Sequence, residues 1–211
     1  MASDRVVFVP PERLTRWFDN FAVRHGDYTL ESADGLVQAS AEDGTRVIGE
    51  LPFARTYDGP PDVSAFAEAA QVPLDWGVLL VRKGGFAVAR LDGREMVASK
   101  VGQRHVQGRS KAGGQSQQRF ARRRENQARE AFAAAADHAH RILLGGSGRI
   151  AALVCGGDRT AIEEVLANTR LRTLADVRTG PWLAVADPRR SILEHAVVNA
   201  RSARLVVPDE R

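Results

Sequence analysis

The residues whose types and spacing could do chemistry are Gly113, Gly114 and Gln115, which lie in a basic stretch containing several glycines. The glutamine amide is neutral, so it is a poor general base at neutral pH, but it can orient a water molecule. Its backbone N–H can donate to an oxyanion. The two glycines can adopt positive φ and present no side chain that blocks entry to a narrow site. The tripeptide therefore predicts a loop that positions water for attack on a carbonyl carbon.

Positive charge is concentrated around this tripeptide. Residues 100–129 hold nine cations and one anion, Glu125, so this segment carries +8 in a chain whose net charge is +4. The remaining residues therefore carry 4 − 8 = −4. One strongly cationic element on a mildly acidic protein favours a polyanionic partner.

Composition excludes several classes of protein. With 211 residues, 44% of them hydrophobic and 27% charged, the chain is too apolar to be disordered throughout. Neither an apolar run of about 18 residues nor a secretory signal is visible, so we expect a cytoplasmic protein that does not enter a membrane. The single cysteine, Cys155, excludes an internal disulfide and a multi-cysteine zinc site. We expect Cys155 to be buried and inert, and we expect neither a metal nor a cofactor.

The elements that must position the tripeptide form a strand meander followed by a loop and a long helix. Residues 101–115 lack apolar periodicity and predict the loop, whereas residues 116–142 lack glycine and proline and predict the helix. The second half of this helix is rich in alanine and can lie on a sheet. Its first half is polar nearly all round, so we expect it to project from the body. The meander is predicted at Val78–Val81, Phe86–Leu91 and Met96–Ser99.

Alternating strands and helices after residue 145 predict an α/β layered domain. The expected elements are a buried strand at Ile150–Cys155, a helix opened by a capping box of Thr160 and Glu163, a strand at Leu174–Val177, and a closing helix from Asp187 to Ala200. The residues before this domain predict a small α+β unit, with a helix that carries Trp17, Phe18 and Phe21 as core residues. The stretch from Tyr57 to Asp62 is the predicted linker. We place the domain boundary so that residues 1–72 form a domain of unknown role and residues 73–211 form a second domain.

The run around the tripeptide closely resembles a known family. Residues 108–127 read GRSKAGGQSQQRFARRRENQ. This run is similar to the middle domain of eukaryotic and archaeal class-1 peptide release factors, in which a Gly-Gly-Gln loop precedes a basic helix. The resemblance extends over roughly residues 74–200. The size of the chain looks most like the Vms-like, release-factor-related peptidyl-tRNA hydrolases, including their actinobacterial branch.

The resemblance implies a mixed-sheet α/β fold of the ribonuclease H-like type, with a long helix after an exposed Gly-Gly-Gln loop. It also implies hydrolysis of the peptidyl-tRNA ester, with Gln115, Gly113 and Gly114 as the catalytic residues and with rRNA of the large ribosomal subunit and peptidyl-tRNA as partners. DNA is not an expected partner. Because only about 72 residues precede the matching domain, we expect release that does not depend on a stop codon. The cations expected to contact RNA phosphates are Arg109, Lys111, Arg119, Arg122, Arg123, Arg124 and Arg129.

Two other interpretations stay open. The basic helix could belong to a non-catalytic module that binds RNA or the ribosome. A free-standing hydrolase that acts on peptidyl-tRNA in solution is a third possibility, distinguished by activity without ribosomes.

Overall fold

The computed structural model describes residues 4–72, 75–83, 85–103, 129–146 and 148–208. The chain divides into two compact units, one formed by Met1–Val72 with Val197–Arg211 and the other by Pro73–Ala196. The division after residue 72 lies at the boundary expected from the sequence. Residues 197–211 differ from that expectation, because they belong to the first unit rather than to a second domain that extends to residue 211.

The strands are β1 (Asp4–Val9), β2 (Tyr28–Ala33), β3 (Leu36–Ala41), β4 (Arg46–Glu50), β5 (Asp75–Arg82), β6 (Gly85–Asp92), β7 (Glu95–Gln103), β8 (Ala152–Gly157), β9 (Arg178–Leu183) and β10 (Ala203–Pro208). The helices are α1 (Leu14–His25), α2 (Val63–Ala69), α3 (described over 129–139), α4 (Arg159–Leu166), α5 (Arg172–Ala175) and α6 (Arg190–Ala200). A π-helical turn, His140–Leu144, continues α3. Within the described ranges, no helix combines the length and the apolar character that a membrane crossing would require.

The first unit is an antiparallel sheet with the strand order β1-β10-β4-β3-β2. Helix α1 buries the predicted core residues Phe18 and Phe21. Trp17, also predicted to lie in the core, is only partly buried and packs against it, and Leu14 is buried in addition. The β2–β3 hairpin turns at Asp34 and Gly35, whose φ angles are 53° and 76°. Two successive residues at positive φ are what a tight two-residue hairpin needs, which explains the Asp-Gly pair.

Two features of the first unit correct the sequence-based expectations. No strand is predicted from the sequence at the position of β10. This strand lies between β1 and β4, and its residues Ala203 and Leu205 are buried. The predicted linker at Tyr57–Asp62 does not connect the two units. Instead Tyr57 is buried in the core of the first unit, where its ring meets Phe66 edge-on at 5.2 Å and its hydroxyl donates to the Pro60 carbonyl.

The second unit is a mixed sheet with the strand order β7-β6-β5-β8-β9. Strands β5, β6 and β7 pair antiparallel as the predicted meander, whereas β5, β8 and β9 pair in parallel. Counted within the unit, the order is 3-2-1-4-5, and this mixed sheet with its helices agrees with the expected α/β class. Helices α3 and α4 contribute to the buried core over this sheet through Ala135, Ala139 and Ile162.

Three local predictions in the second unit are wrong. The strand expected at Leu174–Val177 is helix α5 followed by β9, an edge strand that contains Gly180 and Pro181. Proline lacks the N–H that a central strand donates, so its place at a sheet edge is physically reasonable. Helix α4 is capped by Asp158, whose carboxylate accepts from the Thr160 N–H at 3.0 Å, rather than by Thr160 itself. The closing helix α6 begins at Arg190 rather than at Asp187.

Candidate functional site

The predicted catalytic and RNA-binding residues lie almost entirely outside the described ranges. Gln115, Gly113 and Gly114 fall within residues 104–128, and so do the predicted RNA-binding cations other than Arg129, which are Arg109, Lys111, Arg119, Arg122, Arg123 and Arg124. Arg129 is described, and its side chain is exposed on α3. The roles of these residues stay predictions. The structure instead defines the elements on either side of them.

Residues 104–128 are flanked by strand β7 and helix α3. Strand β7 lies at the edge of the second unit's sheet and is described as far as Gln103. Helix α3 is described from residue 129 onwards and contributes Ala135 and Ala139 to the buried core over the same sheet. Along the chain, the candidate residues therefore stand between the edge strand of this sheet and a helix that packs over the same sheet.

An aromatic pair joins this helix to the sheet. The rings of Phe86 in β6 and His138 in α3 are stacked, with centroids 5.3 Å apart and planes 29° apart. Phe86 pairs with Gly102 of β7 across the antiparallel ladder. A Cβ atom at Gly102 would lie 2.3 Å from Cε1 of Phe86. Glycine is therefore needed in β7 at this position, because the Phe86 ring occupies the space of a side chain.

A small cavity of about 160 Å³ lies beside this aromatic pair. It is lined by residues of β6, β7 and α3, namely Gly85, Phe86, Lys100, Gly102, Ala131, Ala134 and His138. Most of these side chains are apolar or absent, and the polar groups are the Lys100 ammonium and the His138 imidazole. The cavity is thus a mainly apolar space with one permanent cation at its wall.

The surroundings of His138 favour its neutral form. Burial lowers the pKa of His138, and the positive charges of Arg141 and Lys100 lower it further, against an opposing effect of Asp137. Nη2 of Arg141 donates to Nδ1 of His138 at 2.9 Å, a role that requires an unprotonated ring nitrogen. At neutral pH the ring therefore acts as a hydrogen-bond acceptor and a stacking surface, so its position is fixed.

The far end of α3 is held by a buried arginine. Arg90 of β6 is 5% exposed, and its guanidinium pairs with the Asp75 carboxylate through two nitrogens, with Nε to Oδ1 at 2.9 Å. The same guanidinium donates to the carbonyl of Leu143 at 3.3 Å and to that of Gly148 at 2.7 Å. Four hydrogen bonds from one side chain tie β5 and β6 to the π-helical turn and to the loop that follows it. The described helix is thus anchored to the sheet at His138 and, five residues later, at Leu143.

The arrangement is that of a support rather than of a complete reaction centre. In the part of the chain that the structure describes, no group of three or more His, Cys, Asp or Glu side chains could hold a metal ion. What the described residues supply is a firmly held helix with exposed cations, Arg129 and Arg141, next to the segment that contains Gln115. An element that carries a catalytic loop needs such a rigid base.

Sequence reasoning missed the residues that build this support: Phe86, Gly102, His138 and Arg90. Gly102 falls in the loop predicted from residue 101, whereas strand β7 continues to Gln103, so the close approach of this glycine to Phe86 was not predicted. The partners of Arg90 and His138 depend on strand register and helix docking, which the sequence does not display.

Comparison with known proteins then identifies the family. The family model of the Actinobacteria/chloroflexi VLRF1 release factor matches residues 74–206. Among solved structures, the chain is similar to the archaeal translation termination factor aRF1, with 14% identity, a TM-score of 0.44, and coverage of 92% of this chain and 63% of that one. Archaeoglobus fulgidus Pelota is a second similar structure, with 10% identity, a TM-score of 0.29, and coverage of 92% and 61% respectively.

The chain spans 63% and 61% of the lengths of these two proteins, which is less than two thirds. No curated protein matches it. The family model, in contrast, covers more than half of the 211 residues and includes the entire basic run 108–127. On that match, the chain belongs to the actinobacterial and chloroflexi VLRF1 release factor family.

Proposed function

We propose that this protein is a codon-independent peptidyl-tRNA hydrolase that releases nascent chains from stalled ribosomes or large ribosomal subunits in the cytoplasm. The observation that carries the proposal is the release factor family match over residues 74–206, within which Gly113, Gly114 and Gln115 stand. The hydrolysis would proceed with the ribosomal peptidyl-transferase centre, and no cofactor is invoked.

The proposed reaction is the attack of water on the ester that joins the peptide to the terminal ribose of tRNA. The water oxygen adds to the ester carbonyl carbon and gives up a proton, and the carbonyl oxygen becomes an oxyanion. When the carbonyl re-forms, the bond to the ribose oxygen breaks, this oxygen takes up a proton to become a hydroxyl, and the peptide leaves with a free carboxyl group. Gln115 orients the water through its side-chain amide, and its backbone N–H donates to the oxyanion. Because a neutral amide removes protons poorly, rRNA and the tRNA itself supply the remaining catalysis.

The two glycines serve this reaction by their small size. A narrow site walled by RNA admits a backbone without side chains more readily than a substituted one. Helix α3 is held firmly by contacts with Phe86 and Arg90, the first of them through His138. This supports the proposal, because a loop attached to a mobile helix would not keep a water molecule correctly placed against the ester carbonyl.

The cations of the same segment provide the proposed contact with RNA. Phosphate binding by several of them releases counterions together, so the affinity for the large subunit should fall steeply as salt rises. The residues proposed for these contacts are Arg109, Lys111, Arg119, Arg122, Arg123, Arg124 and Arg129.

A single-turnover assay tests the proposal. Purified large subunits that carry peptidyl-tRNA are mixed with the protein, and free peptide is measured beside subunit binding. Gln115→Ala should abolish release while binding is retained, because the alanine removes the amide that orients water but no cation. The matched control is Gln71→Ala, which changes an exposed glutamine of the first unit and should leave release unchanged.

The same assay separates the alternatives. Full release by Gln115→Ala would refute the catalytic proposal and favour the non-catalytic module that binds RNA or the ribosome. Equal release from peptidyl-tRNA free in solution would favour a hydrolase that needs no ribosome.

A further inference from the structure

The first unit has an open groove between helix α1 and edge strand β1, which we name the Trp17 groove. One part of it is a cavity of about 410 Å³, within the range that small-molecule and nucleotide sites occupy. A second cavity of about 540 Å³ shares Trp17 and Asn20 with the first and continues along β1 towards Pro10. Trp17 and Asn20 thus stand where the two cavities meet.

The floor of the groove is apolar and belongs to the sheet. Val47 of β4 and Val207 of β10 line the first cavity, and both side chains are buried. Arg5 of β1 is paired in register with Val207. Arg5 also alternates with Val7 and Val9, which pack in the core beneath α1, so it faces the same side of the sheet.

The wall of the groove is one face of α1. Four residues of this face are separated by steps of three, one and three residues, which places them along one stripe of the helix surface. They are Trp17, Asn20, Phe21 and Arg24. The Trp17 ring is stacked on Phe21, with centroids 5.7 Å apart and planes 9° apart, and it meets Phe18 edge-on at 5.1 Å. Trp17 is therefore held in one orientation although it remains partly exposed.

Arginine guanidinium groups line the groove along its length. Arg5 and Arg24 line the first cavity, and Arg13 and Arg16 line the second. Arg13 and Arg24 are eleven residues apart, or about 16 Å along the helical path. This array of cations along a pre-positioned aromatic ring is the pattern that binds single-stranded nucleic acid.

The acidic residues nearest the groove do not reverse this charge. Asp19 of α1 lies towards Tyr28, whose pKa is raised by burial and then by the charge of Asp19. Asp43 is paired with His25 at 2.8 Å. Asp4 alternates with Arg5 along β1 and so lies on the other face of the sheet.

We infer that the Trp17 groove binds a nucleotide of single-stranded RNA. The base stacks on Trp17, the Asn20 amide and the Thr45 hydroxyl face its polar edge, and the arginines bind the phosphates on either side. This inference goes beyond the proposed hydrolysis and does not rest on it, since none of these residues belongs to the segment with Gln115.

Photochemical cross-linking of the full chain tests the inference. A decamer of single-stranded RNA with 4-thiouridine is irradiated with the protein, and tryptic peptides are identified by mass spectrometry. Trypsin cuts after Arg16 and Arg24, so residues 17–24 form one peptide, WFDNFAVR. This peptide should carry the cross-link. The cross-linked peptide must be identified, rather than total RNA binding measured, because the basic segment around Gln115 also binds RNA in our proposal.

Charge reversal and ring substitution supply the matched variants. Arg5→Glu, which reverses a charge at the first cavity and leaves the cuts after Arg16 and Arg24 intact, should lower the yield of the 17–24 cross-link about tenfold. Arg46→Glu, the same reversal at an exposed residue of β4, should change it less than about twofold. Trp17→Leu should lower it about tenfold and Trp17→Phe should retain part of it, because the phenyl ring still stacks. An unfolding curve for each variant confirms that it folds, and Gln115→Ala should leave this cross-link unchanged even if it abolishes release.

Several results would overturn the inference. The first is the absence of a cross-link on residues 17–24, and the second is an equal yield from Arg5→Glu and Arg46→Glu. Equal competition by duplex RNA or by an acidic decapeptide would show that the groove attracts charge without binding a base. Competition by adenosine monophosphate as strong as that of the decamer would identify a free nucleotide, rather than RNA, as the ligand.

Discussion

Phe86 of β6 and His138 of α3 stack with their ring centroids 5.3 Å apart, which joins the second unit's sheet to the helix described from residue 129 onwards. Arg129 stands nine residues before His138 in the same helix, about 14 Å along its axis. The pair thus fixes the direction in which α3 approaches the segment that contains Gln115.

Gly102→Ala should weaken this junction. The new Cβ would lie 2.3 Å from Cε1 of Phe86, and the ring is also stacked on His138. We expect a loss of about 1–3 kcal/mol in the free energy of unfolding, measured by urea denaturation, because overpacking forces a ring or a strand to shift. Gly148→Ala is the control, since its nearest contact would be Oδ2 of Asp75 at an ordinary 3.6 Å. Equal stability of the two variants would contradict the described packing.

Arg90→Met should be among the most destabilising single changes in the second unit. It leaves the Asp75 carboxylate and the carbonyls of Leu143 and Gly148 without their donor. Loss of one partner of a buried ion pair costs about 3 kcal/mol or more, which corresponds to a fall in Tm of about 6–12 °C.

Two comparisons sharpen the Arg90 experiment. Arg46→Met removes an exposed arginine and should change the free energy of unfolding by less than about 0.5 kcal/mol. The double variant Arg90→Met with Asp75→Asn should recover part of the loss, because the unpaired charge is gone. A Tm for Arg90→Met equal to that of Arg46→Met would refute the anchoring role.

Cys155 should resist thiol reagents in the native protein. Its side chain is 1% exposed, and burial raises its pKa to about 12, so almost no thiolate exists at pH 8. Titration with a chromogenic disulfide should detect the thiol slowly or not at all under native conditions, and one thiol per chain in denaturant. Rapid native labelling would show that β8 opens readily.

Asp43 should contribute to stability in acid. The His25 hydrogen bond lowers the pKa of Asp43 from 3.8 to about 2, with help from the Thr45 N–H. Because the folded pKa lies below the unfolded one, this contribution is present above about pH 4 and is lost as the pH falls towards 2. Asp43→Asn should therefore lose less stability than wild type between pH 4 and 2 in urea titrations. Asp58→Asn, at another exposed aspartate, should follow the wild-type curve.

The sequence predicted well the elements whose signals are local. The spacing of Trp17, Phe18 and Phe21 predicted α1, because the period of a helix is visible in the positions of its apolar residues. Strand β9 was not predicted, because Gly180 and Pro181 interrupt its run of strand-forming residues. Strand β10 was not predicted either. Its partners, β1 and β4, lie more than 150 residues earlier in the chain, and no residue type indicates such a distant pairing.

The candidate site divides in the same way. Gly113, Gly114 and Gln115 were found from their types and neighbours, and their role awaits experiment. The support beneath them, made by Phe86, Gly102 and His138, could not be assembled from the sequence, because it requires the β6–β7 register together with the docking of α3.

The position of β10 has a consequence for how the molecule is made. Since this last strand separates β1 from β4, the sheet of the first unit stays incomplete until residue 208 has left the ribosome. The sheet of the second unit, whose strands end with Leu183, has all of its sequence available earlier. Synthesis from the amino terminus therefore produces β1–β4 well before β10, the strand that completes their sheet, and produces the strands of the second unit in between.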